Sequence, residues 1–376
     1  MIPLAKPDLT DKDIENAGNV LRSGMLVQGE NVLKLETSLS EFSGIKHCSL
    51  CSSGTAALHL VLKGLGIGVG DAVIVPAFTF PASANVVELL EAETVLCDVS
   101  YTDYNITPET LKKCINGSKK NLKAVMVVHE FGAPARIKEI AELCKKYNLI
   151  LIEDAACALG TVADGYHPGF YGDAACFSFH PRKAVTCGEG GAILTQDKIL
   201  HDRIQKLRNH GISADQAGID FVVPGFNYRL TDFQAALVHG QLKRFANELK
   251  RRAFLAQIYF TSLKGLPEIL LPVNSTGHSW QSFMVVLDDD IDRNTVVHKM
   301  GQKGVQVNLG AQALNCLSFF SKKYSVQDID YPVAAKLFYS GLVLPLYGSL
   351  SEKDIEFISL KLKEVLFIDT CRKSHV

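Results

Sequence analysis

The chain has 376 residues, 47% of them hydrophobic and 21% charged, the balance of a globular protein and not of a disordered or fibrous one. Its 39 Lys and Arg residues against 40 Asp and Glu give a formal charge of -1, which excludes a bulk electrostatic pull on nucleic acid or an anionic membrane. The length exceeds one ordinary core and predicts a large domain over residues 1–245 with a smaller one over 246–376.

The opening MIPLAKPDLTDKDIE has no basic flank followed by an apolar core, and no window approaches the roughly 18 apolar residues of a membrane span. A cytosolic protein without a membrane partner is therefore expected. Ten cysteines run from Cys48 to Cys371, a usage that favours reduced thiols over a disulfide framework in such a chain. The pair Cys48 and Cys51 has CxxC spacing, but no second pair completes a tetrahedral set, so no metal is expected.

In chain order, apolar runs at Cys48 to Cys51, Ala72 to Val75, Thr94 to Cys97, Ala124 to Val128 and Leu149 to Ile152 read as buried strands. Amphipathic segments such as Thr55 to Leu65 and Ile137 to Tyr147 alternate with them, predicting an α/β fold with a mainly parallel, helix-flanked sheet. Two further runs, Ala174 to Phe179 and Gly191 to Thr195, flank a loop, and one long helix is expected from Asp232 to about Ser262. Beyond it, a strand at Ser282 to Leu287 and helices at Arg293 to Lys303 and Ser351 to Val365 predict a small α+β lobe.

Three places on this frame carry chemistry. In SSGTAALHLVL a strand ends and a helix begins at once, so the exposed backbone of Gly54 and the hydroxyl of Thr55 suit an anion, although a plain helix cap explains the same letters. In LIEDAACALG the strand ends at Asp154, at the sheet edge where ligands sit. A carboxylate there could pair with a protonated ring nitrogen, cap the next segment or bind a metal. In FSFHPRKAVTCGEGG, Lys183 stands on a turn after a strand and could bond to a carbonyl as a Schiff base, or be one more solvated charge.

Taken together, these segments resemble the DegT/DnrJ/StrS-type sugar aminotransferases, a branch of the fold-type I pyridoxal phosphate (PLP) enzymes with an aspartate-aminotransferase-like architecture. The resemblance spans nearly the whole chain, through Gly54 to Ala56, PAFTFPASANVV, EDAACALG, FSFHPRKAVTCGEGG, LRNHG and NYRLTDFQAAL. It implies pyridoxal 5'-phosphate as cofactor, Lys183 as the Schiff-base lysine and Asp154 as the partner of the ring nitrogen. It also implies that Phe80 stacks on the ring and that Gly54, Thr55 and Ser178 hold the phosphate. Asn227 would reach that phosphate from a second subunit, making the protein a homodimer with shared sites.

The implied reaction moves an amino group from glutamate to a keto group of a nucleotide-linked sugar. KAVTCGEGG is more similar to the branch that aminates a 4-keto-6-deoxy sugar than to the C3 branch. Lys183 argues against the related sugar dehydratases, in which a His commonly replaces it. A cyclitol aminotransferase and a catalytically silent PLP-binding regulator are the other readings, the second opposed by intact Lys183 and Asp154. The chain departs from the family at Cys157, where Gln or His is usual, and at VNLGAQALNCLSFF in the small lobe. Substrate contacts there do not carry over, and His180 is read as structural.

Overall fold

The computed structural model describes residues 1–215 and 218–373. Strands β1 (His47–Cys51), β2 (Ala72–Pro76), β3 (Phe78–Thr79), β4 (Glu93–Cys97), β5 (Leu122–Val128), β6 (Ile150–Asp154), β7 (Ala174–Ser178) and β8 (Gly191–Thr195) carry the first lobe. All but β3 join one seven-stranded sheet in the order β1-β8-β7-β6-β5-β2-β4. Only β8 runs against its neighbours. The expected mainly parallel sheet is present, with its strands buried as a sheet covered on both faces requires.

Helices cover both faces. They begin with α1 (Asp11–Ser23), α2 (Glu30–Ser43), α3 (Gly54–Gly64), α4 (Ala82–Leu89), α5 (Pro108–Gly117), α6 (Ile137–Lys146) and α7 (Lys198–Leu207). The capping box of Thr10 and Asp13 starts α1, and Gly24 in the left-handed region ends it. Ile137, Ile140 and Cys144 form the buried face of α6, at the spacing of one helical stripe. One apolar cluster includes Leu60, Val86 and Ile140 with the sheet; another gathers Leu35, Leu39, Phe177 and Val238.

The long helix expected from Asp232 is two helices, α8 (Asp232–Leu242) and α9 (Phe245–Leu263). The break falls at Arg244, whose backbone leaves helical geometry at φ -107°, ψ 2°. Its guanidinium bonds to both carboxylate oxygens of Asp13, at 3.0 and 2.6 Å, and to the Asp8 carbonyl at 2.7 Å. The apolar pattern continues across Lys243 and Arg244, neither of them a helix breaker, so a local reading merges the two.

Strands β9 (Ile212–Asp215) and β10 (Gly218–Phe221) pair antiparallel after α7. The second lobe holds β11 (Ile269–Leu270), β12 (Phe283–Leu287) and β14 (Gly341–Leu344) in one antiparallel sheet. Its core includes Leu255, Tyr259, Phe283, Val296 and Leu362. The strand and helices expected in this region are present, the last helix running Glu352–Lys373. Between the lobes, β13 (Gln312–Ala313) pairs with β3, and the Ile2 bridge to Val305 ties the amino terminus to the second lobe. We propose the division near residue 245 as the lobe boundary, because α9 supplies Leu255 and Tyr259 to that second core.

Candidate active site

The carboxyl ends of β1, β2, β5, β6 and β7 share one edge of the sheet, the edge at which open α/β folds gather ligands. Asp154 closes β6 and is buried. Ser83, also buried, donates to its Oδ2 at 2.7 Å, and the Ala156 N–H donates to Oδ1 at 3.1 Å. Burial pushes the Asp154 pKa up, while these two donors and the positive charge of Lys183 work against that rise.

Lys183 lies in the loop between β7 and β8. The residue keeps part of its surface, but its ammonium group is enclosed and donates to Cys157 Sγ at 2.9 Å. Burial works against its charge, and Cys157, Glu130 and Asp154 outweigh it, so the lysine pKa stands above its ordinary value. Burial also raises the Cys157 thiol. Near neutral pH this contact is therefore a hydrogen bond to a thiol.

The loop that presents Lys183 is clamped along its length. Gln281, from the second lobe, accepts the Ala184 N–H at 3.0 Å and donates to the Arg182 carbonyl at 2.5 Å. Gln241 of α8 accepts the Thr186 N–H at 3.0 Å and donates to the Thr186 carbonyl at 2.6 Å. His180 is part of the same turn, its Nδ1 accepting the Arg182 N–H at 3.2 Å and its carbonyl accepting the Lys183 N–H at 2.8 Å.

A small cradle lies at the ends of β1 and β7. A Cβ on Gly54 would stand 2.8 Å from Ser178 Cβ and 3.3 Å from its Oγ, so only glycine leaves that gap open. Ser53 caps α3 by accepting the Ala56 N–H at 3.0 Å. The N–H groups of Gly54 and Thr55 precede the first intrahelical bond and are available to an anion. Thr55 is exposed at the same helix start.

Phe80 is 70% exposed, and its carbonyl accepts the N–H of Ser83, the residue that orients Asp154. Asn227 is also exposed and forms a bridge with Asn209, while the carbonyl of its neighbour Tyr228 accepts the Ser52 N–H at 2.8 Å. Lys183 and Asp154 thus share one buried locus, Gly54 and Ser178 share the cradle beside it, and Thr55, Phe80 and Asn227 stand at the surface.

Sequence reasoning assigned nothing to Ser83, His129, Glu130, Gln241 or Gln281. His129 Nδ1 accepts the Ala135 N–H at 3.1 Å, so Nε2 carries the proton and donates to Glu153 at 2.8 Å, behind Asp154. Ser83 and His129 had a signal, since each follows a strand in an otherwise apolar stretch. The two glutamines had none.

These residues fit the coenzyme that the resemblance implies. A buried carboxylate with oriented oxygens suits a ring N–H, an enclosed amine without a bonded carboxylate suits an aldehyde, and the glycine gap with free N–H groups suits a phosphate.

Comparison with known proteins agrees. The DegT/DnrJ/EryC1/StrS aminotransferase family matches residues 7–363. GDP-perosamine synthase from Vibrio cholerae is 33% identical over 355 residues, covering 94% of this chain and 89% of that one. Spr1654 from Streptococcus pneumoniae, described as a sugar aminotransferase, superposes in its PMP form with a TM-score of 0.92 at 26% identity, over 99% of both chains. A DegT DnrJ EryC1 StrS aminotransferase from Brucella abortus is 31% identical with a TM-score of 0.87, over 94% of this chain and 95% of that one. The chain belongs to the DegT/DnrJ/EryC1/StrS aminotransferase family.

Proposed function

We propose that this member of the family is a PLP-dependent sugar aminotransferase, taking an amino group from glutamate and delivering it to a keto group of a nucleotide-linked sugar. The observation that carries the reading is the enclosed Lys183 amine in one buried site with the oriented carboxylate of Asp154. The coenzyme in this family supplies an aldehyde that holds amines and a ring that accepts electrons.

The chain's own residues then divide the work. Lys183 would hold the coenzyme covalently and, once freed by an incoming amine, carry a proton to and from the substrate carbon. Asp154, held by Ser83 and the Ala156 N–H, would keep the ring nitrogen protonated. Gly54, Thr55 and Ser178 would bind the phosphate, and Phe80, as a flat apolar ring, would fix the coenzyme plane. Donor and acceptor use the same site in turn, so the kinetics should be ping-pong.

The nucleotide-linked acceptor is supported by the relative named GDP-perosamine synthase. The KAVTCGEGG segment favours a 4-keto-6-deoxy sugar over a 3-keto one. A homodimer with Asn227 serving the partner's phosphate site is supported by the exposure of Asn227 and of Ile219, Phe221, Val222 and Val223.

The test is to load the protein with PLP and add glutamate. Visible absorbance should fall with glutamate alone and return with the keto sugar, and Lys183→Ala should show neither change. Retained absorbance in Lys183→Ala, with borohydride fixing PLP on another lysine, refutes the assignment. Amination of a free keto-cyclitol in place of the nucleotide sugar refutes the substrate class.

A further inference from the structure

Glu130 is a buried carboxyl that none of the roles above uses. The residue is 4% exposed, two positions beyond the end of β5, and its charge is felt by Lys183 and Cys157. Its backbone N–H donates to Asn105 Oδ1 at 2.8 Å, and the same side chain donates to the Ala133 carbonyl at 3.1 Å. The turn is fixed further by left-handed backbone at Phe131 (φ 55°) and Gly132 (φ 91°). A Cβ on Gly132 would lie 3.2 Å from the Cys157 carbonyl, so the turn packs directly on the segment that presents Cys157. Left-handed backbone at a non-glycine residue persists only where its surroundings impose it.

The order of strands decides what Glu130 faces. The Gly54 and Ser178 cradle lies at the ends of β1 and β7, Asp154 ends β6, and Glu130 follows β5, on the far side of Asp154 from the cradle. On the coenzyme, the ring carbon that carries the aldehyde lies opposite the ring nitrogen, with the phosphate arm on the ring position to one side of it and a hydroxyl on the other. With the nitrogen at Asp154 and the arm toward β7 and β1, the hydroxyl is directed toward β5. Cys157 also meets the Lys183 amine, but a thiol is a weak donor.

Resting on the PLP reading above, we propose that the Glu130 side chain, as a neutral carboxylic acid, donates a hydrogen bond to the ring hydroxyl oxygen of the bound coenzyme. The groups that face it are Lys183, Asp154 and Cys157. Burial is the largest influence and, with the negative charge of Asp154, pushes its pKa up to about 8 against the pull of Lys183 and of the Phe131 N–H that its carboxyl accepts. It therefore keeps a proton to donate near neutral pH. An ionised carboxylate there would repel the oxygen, which is anionic when the lysine-linked nitrogen is protonated. The donor lowers the pH at which that nitrogen loses its proton, a transition visible in the absorbance spectrum.

Two variants of nearly equal volume test this. Glu130→Gln keeps a neutral donor and Glu130→Met removes it. Each is loaded with PLP, and the midpoint of the absorbance change with pH is compared with wild type. Gln should stay close to wild type, whereas Met should move up by about one unit, the equivalent of one ordinary hydrogen bond. An unmoved midpoint in Met overturns the proposal while leaving the PLP reading intact. Failure of wild type to take up PLP reducible onto Lys183 overturns both. Should Met not fold, the infrared difference between loaded and unloaded wild type must show a shifted carboxylic acid stretch that Glu130→Gln lacks. No such band in wild type refutes the neutral donor.

Discussion

The clamp from Gln281 should set how well the lysine loop presents Lys183. Gln281→Leu keeps the side-chain size but removes the acceptor for the Ala184 N–H at 3.0 Å and the donor to the Arg182 carbonyl at 2.5 Å. The Arg182 side of the contact is exposed and water can replace it, whereas the Ala184 side is partly buried and is left short of a partner. Leaving the Ala184 N–H unpaired costs roughly 1–3 kcal/mol, so the loop position that presents Lys183 should lose about 2 kcal/mol. If all of that falls on the productive position, kcat drops about 30-fold. Gln241 still holds Thr186, so the fold and the cradle persist. Stopped-flow absorbance would follow the rate at which added PLP links to Lys183, and single-turnover assays with glutamate would follow amino transfer. Both should slow, with substrate KM changing little and Gln281→Asn restoring less than half of the rate. Wild-type rates in Gln281→Leu would show that the second lobe does not position the lysine.

Three further outcomes follow from the geometry. Gly54→Ala places a methyl 2.8 Å from Ser178 Cβ and closes the cradle; PLP affinity by equilibrium dialysis should weaken about 5- to 150-fold, the equivalent of an overpacking cost of about 1–3 kcal/mol, and unchanged affinity would move the phosphate elsewhere. In the unliganded protein the folded-state pKa of Glu130 is raised from 4.5 to about 8. The folded state then holds a proton that the unfolded state releases, so this contribution is intact below pH 4.5 and is lost as pH rises to 8. Urea unfolding should show wild type losing stability relative to Glu130→Gln across that window, by up to about 1.4 kcal/mol for each unit; parallel profiles would contradict it. Lys183→Ala and Asn227→Ala chains, co-assembled as verified heterodimers, should recover part of the activity that each homodimer lacks, and none recovered would count against a shared site.

The local pattern carried most of the frame. Strand ends at Asp154 and Ser178, the Gly54 helix start and the Lys183 turn all lie within short segments whose apolar periodicity and turn residues specify them. The motif blocks in order then tied these four together. Where the local pattern misled, at Asp232 to Ser262, the cause was distant, because Arg244 is drawn away by Asp13 from 231 positions earlier.

What the sequence by itself determined is the α/β frame and the chemistry-bearing residues near strand ends, since these depend on neighbours a few positions apart. What only the tertiary structure decided is how those residues are held and what surrounds them. Gln281 meets Ala184 across 97 positions and Ser83 meets Asp154 across 71, pairings with no trace in either local segment. Glu130 reads as an ordinary charged residue after a strand until packing encloses it beside Lys183 and Asp154. Its protonation is set by that enclosure, because desolvation and neighbouring charge exist only once the chain is folded.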